Sequence, residues 1–265
     1  MITQKIGFIG CGNMGGAILD GALKSGVLAP EQAYVYDINP AMMEKAKAWG
    51  VNLVNSDEEV CECSDIILLA VKPQNAAEAL GMCNKALDGK AMMSIVAGVT
   101  VERLQNMING TPRILRLLPN TPAMVFEGAF AICSDNDFTA EELAAAKAIY
   151  EAIGIIEMVP EHLIDAACAL NGGGPAFVAM FIEAMADGGV KQGLPRATAY
   201  RLAAQTALGT AKMILETNLH PGQIKDMVTS PGGTTIEGCE ALERGGMRGA
   251  VIDCINKAAE KSKRL

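Results

Sequence analysis

The stretch Lys5-Ile6-Gly7-Phe8-Ile9-Gly10-Cys11-Gly12-Asn13-Met14-Gly15 decides the fold. Its first five residues read as a buried strand and residues 14–25 as an amphipathic helix, so the glycines fall on the turn between the two. Gly10 permits the tight turn, Gly12 lets the backbone approach a pyrophosphate, and Gly15 lets the helix lie close to the sheet. The helix amino terminus adds unpaired amides that attract an anion. An ordinary glycine turn could carry the same glycines. Here, however, Asp37 ends the second strand 22 residues after Gly15, where a carboxylate can accept hydrogen bonds from the adenosine ribose of a dinucleotide. That carboxylate would repel the extra phosphate of NADP, whereas neighbouring Asn39 could donate to it. The choice between NADH and NADPH therefore stays open.

Outward from this turn, short apolar runs at residues 6–9, 33–36, 52–54, 66–71, 92–97 and 113–117 alternate with helical stretches at 40–49, 75–87 and 101–108. Parallel neighbours need crossover helices, so the pattern predicts a doubly wound α/β sheet of Rossmann type. A further run at 129–133 precedes a helix over 140–153, opened by a Thr139/Glu142 capping box and closed by Gly154. Beyond Pro160 the strand-like alternation stops and the chain should be all helix. The predicted domains are therefore 1–160, which binds the dinucleotide, and 161–265, which is helical. Residues 176–192 and 197–217 are apolar on nearly every face. Small residues there, such as Ala203, Ala207 and Ala211, suit a helical core. About a hundred residues cannot wrap such helices alone, so a second subunit is the favoured cover and the chain reads as a homodimer.

Composition sets the outer limits. The chain has 265 residues, 50% hydrophobic and 20% charged, with 22 Lys plus Arg against 30 Asp plus Glu and a formal charge of -8. That sign argues against nucleic acid and anionic membrane surfaces as partners. The longest apolar run, residues 91–99, is far short of the ~20 needed to span a bilayer. The eight cysteines form no CxxC pair, and Cys61 and Cys63 have both histidines, His162 and His220, far away in sequence. They read as reduced and mostly buried, with no metal site. With no secretory pattern at Met1–Lys5, the expected location is cytoplasmic.

Three loops carry further polar chemistry. Lys72-Pro73-Gln74 follows the strand at 66–71, at the carboxyl edge where open α/β sheets bind ligands; Lys72 either faces a ligand or is simply solvated. Arg116-Leu117-Leu118-Pro119-Asn120-Thr121-Pro122 sets two prolines around an amide and a hydroxyl, which stiffens either a contact loop or a plain turn. In Thr229-Ser230-Pro231-Gly232-Gly233-Thr234-Thr235-Ile236-Glu237, Thr234 and Glu237 read as a capping box behind two glycines. The helix start is an anion site, with Ser230 and Thr235 left beside a spot suited to a carboxylate. A capped helix with a flexible glycine approach is the alternative.

The fingerprint, AVKPQ (70–74), SIVAGV (94–99), RLLPNTPA (116–123), NGGGPAF (171–177), HPGQIKDMVTSPGGTT (220–235) and LERGGMRGAV (242–251) occur together in this order. Jointly they closely resemble the pyrroline-5-carboxylate reductase family across essentially the whole chain, and SPGGTT is the most specific of them. The resemblance implies an enzyme that reduces 1-pyrroline-5-carboxylate to L-proline with NADPH or NADH, the last step of proline biosynthesis. It also implies a carboxy-terminal helical domain for substrate binding and dimerisation, active sites at the dimer interface, and in some members a ring of dimers. The cofactor would lie along Ile9, Gly10, Cys11, Gly12, Asn13 and Met14, near Asp37, Asn39 and Asp57. It would run against Ala70, Val71, Lys72 and Pro73 and against Ile95, Val96 and Ala97, with Asn120 close to the nicotinamide. Ser230 and the amides of Gly232, Gly233 and Thr234 would receive the substrate carboxylate, and Thr235 would meet the ring nitrogen as the catalytic hydrogen-bond donor.

The chain departs from the family pattern at Gly173, where serine is common, at Phe177, where tyrosine is common, at Asp57, where asparagine often touches the ribose, and at Cys239, which replaces a branched aliphatic residue. A 3-hydroxyacid dehydrogenase of similar architecture would need a lysine just after Asn171-Gly172-Gly173-Gly174, where none occurs before Lys191. A non-catalytic nucleotide sensor is the alternative from another class.

Overall fold

The computed structural model describes residues 1–108 and 110–264, except for the side chain of Asn84. Two compact units emerge: Met1–Gly173 together with the closing segment from Ala258, and Gly174–Lys257.

The first unit runs β1 (Ile6–Ile9), α1 (Asn13–Lys24), β2 (Ala33–Tyr36), α2 (Pro40–Lys47), β3 (Asn52–Leu53), α3 (Asp57–Cys63), β4 (Ile66–Leu69), α4 (Ala76–Cys83), β5 (Ala91–Ser94), α5 (Val101–Asn106), β6 (Arg113–Leu118), β7 (Gly128–Cys133), α6 (Ala140–Glu151), β8 (Gly154–Val159) and α7 (Ile164–Ala167). The strands form one sheet in the order β3-β2-β1-β4-β5-β6-β7-β8. All neighbours are parallel except β6 and β7.

Strands buried on both faces read as continuous apolar runs, and their alternation divides the core in two. Ile6, Phe8, Ile66 and Leu68 pack with Ile18 and Leu19 of α1 and Ile149 of α6. Ile9, Ile67, Leu69 and Met92 face the other way, against Val60, Leu80 and Leu104.

The structure departs from the sequence reading in several places. The strands read over 66–71 and 92–97 end at Leu69 and Ser94, because the chain must leave the sheet to build loops at its carboxyl edge. The helix expected over 75–87 is three pieces, a 3-10 turn at Pro73–Asn75, then α4, then a 3-10 turn at Asn84–Leu87. Neither α3 nor β8 was expected. The start of β8 is held by two glycines. A Cβ on Gly154 would meet the Gly128 carbonyl oxygen at 2.0 Å, so the strands touch there through bare backbone.

Buried polar groups punctuate the core. Arg116 is 2% exposed and lies 3.4 Å from Glu161 Oε1 and 3.8 Å from Asp165 Oδ1. Ser262, in the closing segment, donates to Asp165 Oδ1 at 2.8 Å. Tyr150 stacks obliquely on Phe130 with ring centroids 4.9 Å apart, and its buried hydroxyl has no hydrogen-bond partner among the described residues. A desolvated hydroxyl without a partner destabilises the fold. Tyr150→Phe is therefore expected to stabilise the protein by about 1 kcal/mol, raising the Tm by roughly 2–4 °C in thermal denaturation.

The second unit is helical: α8 (Gly174–Lys191), α9 (Arg196–Thr217), α10 (Pro221–Met227), α11 (Thr234–Arg244) and α12 (Met247–Ser262), whose last turn belongs to the first unit. Its buried core is small, built on Ala186, Ala199 and Ala203. On α8 and α9, Met180, Leu202, Leu208 and Leu215 are exposed among the described residues. The helical stretch Glu161–Lys191 is long and apolar enough, by length and composition, to cross a membrane, a property the count of contiguous apolar residues missed. Core helices of globular proteins meet the same criterion.

Candidate functional site

The turn after β1 builds a cradle from three glycines with distinct duties. Gly10 takes φ +90, and a Cβ there would meet the Ala70 carbonyl oxygen at 2.8 Å. A Cβ on Gly15 would sit 2.4 Å from the Gly10 carbonyl oxygen, so α1 can approach the turn only because position 15 is bare. Gly12 has nothing within 4 Å of its missing Cβ and presents open backbone. It also caps α1 without any side-chain acceptor, and no acidic residue lies in the first turn. The amides of Asn13, Met14 and Gly15 are thus left for an anion.

Asp37, at the end of β2, accepts from the Cys11 amide at 2.7 Å through Oδ2 and from the Asn39 amide at 2.8 Å through Oδ1. The carboxylate is fixed by backbone on both oxygens. Asn39 in turn accepts from the Ala41 amide at 3.0 Å and caps α2. The Cys11 side chain points into the core, where burial and then Asp37 push its thiol up to about 11.

These groups line a cavity of about 730 Å³, a size suited to a nucleotide cofactor. Of the residues read from the sequence, Gly10, Gly12, Asn13, Asp37, Asn39, Asp57, Ala70, Val71 and Lys72 line it. Ile9 and Cys11 are buried and offer only backbone, and Met14 is partly buried in the first turn of α1. Pro73 opens an exposed 3-10 turn. Ile95, Val96 and Ala97 follow β5 outside the cavity, at the carboxyl edge of the sheet. Asn120 is buried after β6, its Oδ1 accepting from the Ala129 amide at 2.9 Å. Asn171 donates to the carbonyls of Leu118 and Ala129 from a π-helical turn, so two asparagines brace this corner.

The far wall was not read from the sequence beyond Asp57. It comes from Asn55 and Ser56 ahead of α3 and from Glu78 on α4. Ser56 caps α3 by accepting from the Glu59 amide at 3.1 Å, and the Ser56–Glu59 spacing was the signal that could have revealed the helix. Burial, then Asp37, then Glu78 raise the Asp57 carboxyl to about 6. The fit for a dinucleotide is therefore good: open backbone and free amides for a pyrophosphate, and a fixed acceptor for ribose hydroxyls.

In the second unit, Gly232 takes φ +64, and the Gly233 amide donates to the Ser230 carbonyl at 3.0 Å. The expected capping box at Thr234 and Glu237 is not formed. Extended Gly233 takes the cap position, so the helix begins one residue earlier than expected, with Thr234 already its first residue and no side-chain cap hydrogen bond. A Cβ on Gly233 would lie 2.3 Å from Ser230 Oγ, so the glycine lets the serine hydroxyl stand against the helix start. Ser230, the first-turn amides and partly buried Thr235 are thus presented together.

Comparison with known proteins bears on both units. Residues 161–265 match the family model described as pyrroline-5-carboxylate reductase dimerisation, and residues 5–98 match the one described as NADP oxidoreductase, coenzyme F420-dependent. Pyrroline-5-carboxylate reductase of Methanosarcina acetivorans is 43% identical, and that of Escherichia coli 44%; each alignment covers 100% of this chain and 99% of the relative. Among solved structures, the Plasmodium falciparum pyrroline carboxylate reductase with NADP bound has a TM-score of 0.89 at 34% identity, covering 100% of this chain and 98% of that one. The Coxiella burnetii pyrroline-5-carboxylate reductase has a TM-score of 0.93 at 31% identity, covering 99% and 98%. With the fingerprint turn, the fixed Asp37 and the glycine-cradled start of α11 on one chain that these relatives match end to end, the protein belongs to the pyrroline-5-carboxylate reductase family.

Proposed function

We propose that the chain reduces 1-pyrroline-5-carboxylate to L-proline with NADPH or NADH, closing proline biosynthesis. The observation that carries this reading is that both cradles, the Gly10–Gly15 turn and the Ser230–Thr235 loop, occur in a chain 43–44% identical to pyrroline-5-carboxylate reductases over its full length. In this reading the first-turn amides of α1 hold the pyrophosphate and Asp37 accepts from the adenosine ribose. Asn120 stands toward the nicotinamide, with the 95–97 and 70–73 loops beside the cofactor. When bound, the reduced nicotinamide supplies the hydride.

Ser230 and the amides of Gly232 and Thr234 hold the substrate carboxylate, while the Gly233 amide, bonded to the Ser230 carbonyl, shapes the loop. A carbon-nitrogen double bond accepts hydride well only when its nitrogen is protonated or protonating, so the Thr235 hydroxyl donates a hydrogen bond there and relays a proton from water. Positioning supplies the rest of the rate, and no side chain serves as a nucleophile. The exposed apolar residues of α8 and α9 support a homodimer, with a ring of dimers as a further step, and the small-molecule substrate, not nucleic acid or membrane, as ligand. The acidic composition fits a cytoplasmic enzyme. Residues 161–265, the span of the dimerisation match, form the substrate-binding and dimerisation domain in this reading, with 1–160 binding the cofactor.

Initial rates of NADPH and NADH oxidation with 1-pyrroline-5-carboxylate test the activity. Oxidation with 3-hydroxyacid-derived carbonyls instead, or nucleotide binding without turnover, would overturn it. Thr235→Ala is expected to lower kcat/KM for the imine by about ten- to a hundredfold. Unchanged kcat and KM would remove Thr235 from the mechanism.

A further inference from the structure

Resting on the dinucleotide reading of the first cavity, we propose that this chain is built to refuse a 2′-phosphate and so prefers NADH to NADPH, with Asp57 setting the margin. The cavity wall around the adenosine end carries three carboxylates: Asp37 just after β2, Asp57 on α3 and Glu78 on α4. Among the described residues Lys72 alone brings positive charge to the lining, and no arginine does. Lys45, the first cation after Asp37 in the chain, lies over the Trp49 ring, 5.3 Å from its centroid.

The helix amino termini that could hold a phosphate are each occupied. Asp37 cannot swing away from one, because backbone amides hold both of its oxygens at 2.7 and 2.8 Å. The amino terminus of α2 begins with Pro40, which has no amide hydrogen, and the Ala41 amide already donates to Asn39. The amino terminus of α3 carries Asp57, Glu58 and Glu59 in its first turn, so its positive end is already neutralised by the chain's own acids. Free ribose hydroxyls, by contrast, are donors and gain acceptors from the same carboxylates.

The wall is crowded with charge before any ligand arrives. Burial together with Asp37 and Glu78 holds the Asp57 carboxyl at about 6, still ionised at neutral pH. A phosphate would add close to two further negative charges to this wall. Asparagine at 57 keeps the shape and removes one repelling charge.

The test is equilibrium binding without imine, near pH 8, by titrating the native protein with NADH and NADPH and following nicotinamide fluorescence. NADPH is expected to bind at least about tenfold more weakly, and the Asp57→Asn variant to narrow that ratio by about threefold or more, mainly by tightening NADPH. Adenosine 2′,5′-bisphosphate should compete more weakly than adenosine 5′-monophosphate, which locates the discrimination at the adenosine end. An ionic-strength series on the unmodified protein, from about 20 mM to about 500 mM KCl, should shrink the ratio by screening the repulsion, and this needs no variant to fold. Equal or tighter NADPH binding, or a ratio unmoved by both Asp57→Asn and salt, would overturn the proposal. Binding of both nucleotides with equal strength leaves the reductase reading standing, whereas binding of neither removes the cofactor reading itself.

Discussion

Gly15→Val is expected to lower dinucleotide affinity by at least about a hundredfold, with a loss of imine reduction to match. The added Cβ would stand 2.4 Å from the Gly10 carbonyl oxygen and 3.0 Å from the Ala70 Cβ. Neither neighbour can retreat. Gly10 is fixed at φ +90 and donates its amide to Tyr36 O at 2.9 Å, while the Ala70 amide donates to Ile9 O at 2.8 Å. The helix must therefore lift away, carrying with it the amides that face the pyrophosphate. Gly12→Ala separates chemistry from folding: its Cβ meets nothing within 4 Å, so the Tm should stay within about 2 °C while cofactor affinity still drops. Fluorescence titration with NADH, read beside thermal denaturation, checks both variants. Tight binding by Gly15→Val would mean that the turn does not hold the cofactor.

The second large effect concerns stability. Gly154→Val is expected to destabilise the first unit by about 4 kcal/mol or more and to lower the Tm by roughly 10 °C. Its Cβ would lie 2.0, 2.5 and 2.6 Å from the oxygen, carbonyl carbon and nitrogen of Gly128, all backbone atoms. Gly128 has no slack either, since its own Cβ position is 2.6 Å from the Phe130 ring and its amide donates to Ile153 O at 2.9 Å. The two strands would have to separate at their first pair. Urea denaturation gives the magnitude, and a change below about 1 kcal/mol would show that the contact is more pliant than its geometry implies.

Much of the first unit was legible because its elements alternate at the lengths that parallel sheets require, and because the glycine turn and Asp37 stand at fixed points of that pattern. What escaped had physical reasons. The helix α3 is seven residues of Asp-Glu-Glu-Val-Cys-Glu-Cys, too short and too acidic to show an apolar stripe. Only the Ser56 and Glu59 pair announced it. The strand β8 follows α6 without a loop long enough to separate them, and half of its residues are exposed, so its apolar run merged with the helix end. The reversal at β7 was not anticipated, although the nine residues 119–127 between β6 and β7 are fewer than a parallel crossover needs.

The candidate site divides in the same way. The near wall, built by the fingerprint turn, could be written from the sequence. The opposite wall depends on where α3 and α4 stand, and Glu78 has no local pattern that marks it as a ligand neighbour. In the second unit the cradle was legible in composition, but its start was misplaced by one residue, because Gly233 rather than the more familiar threonine takes the cap.

The bond from Ser262 to Asp165, which in turn lies beside buried Arg116, bears on how the polypeptide matures. The first unit is written in two pieces of the gene, with roughly eighty codons of the other unit between them. A ribosome moving along the message makes the sheet early, yet the seryl hydroxyl that completes the Arg116 corner emerges only after the whole of the other unit. Until then Asp165 has one neighbour fewer, and the nascent sheet must wait for a segment made after the helices.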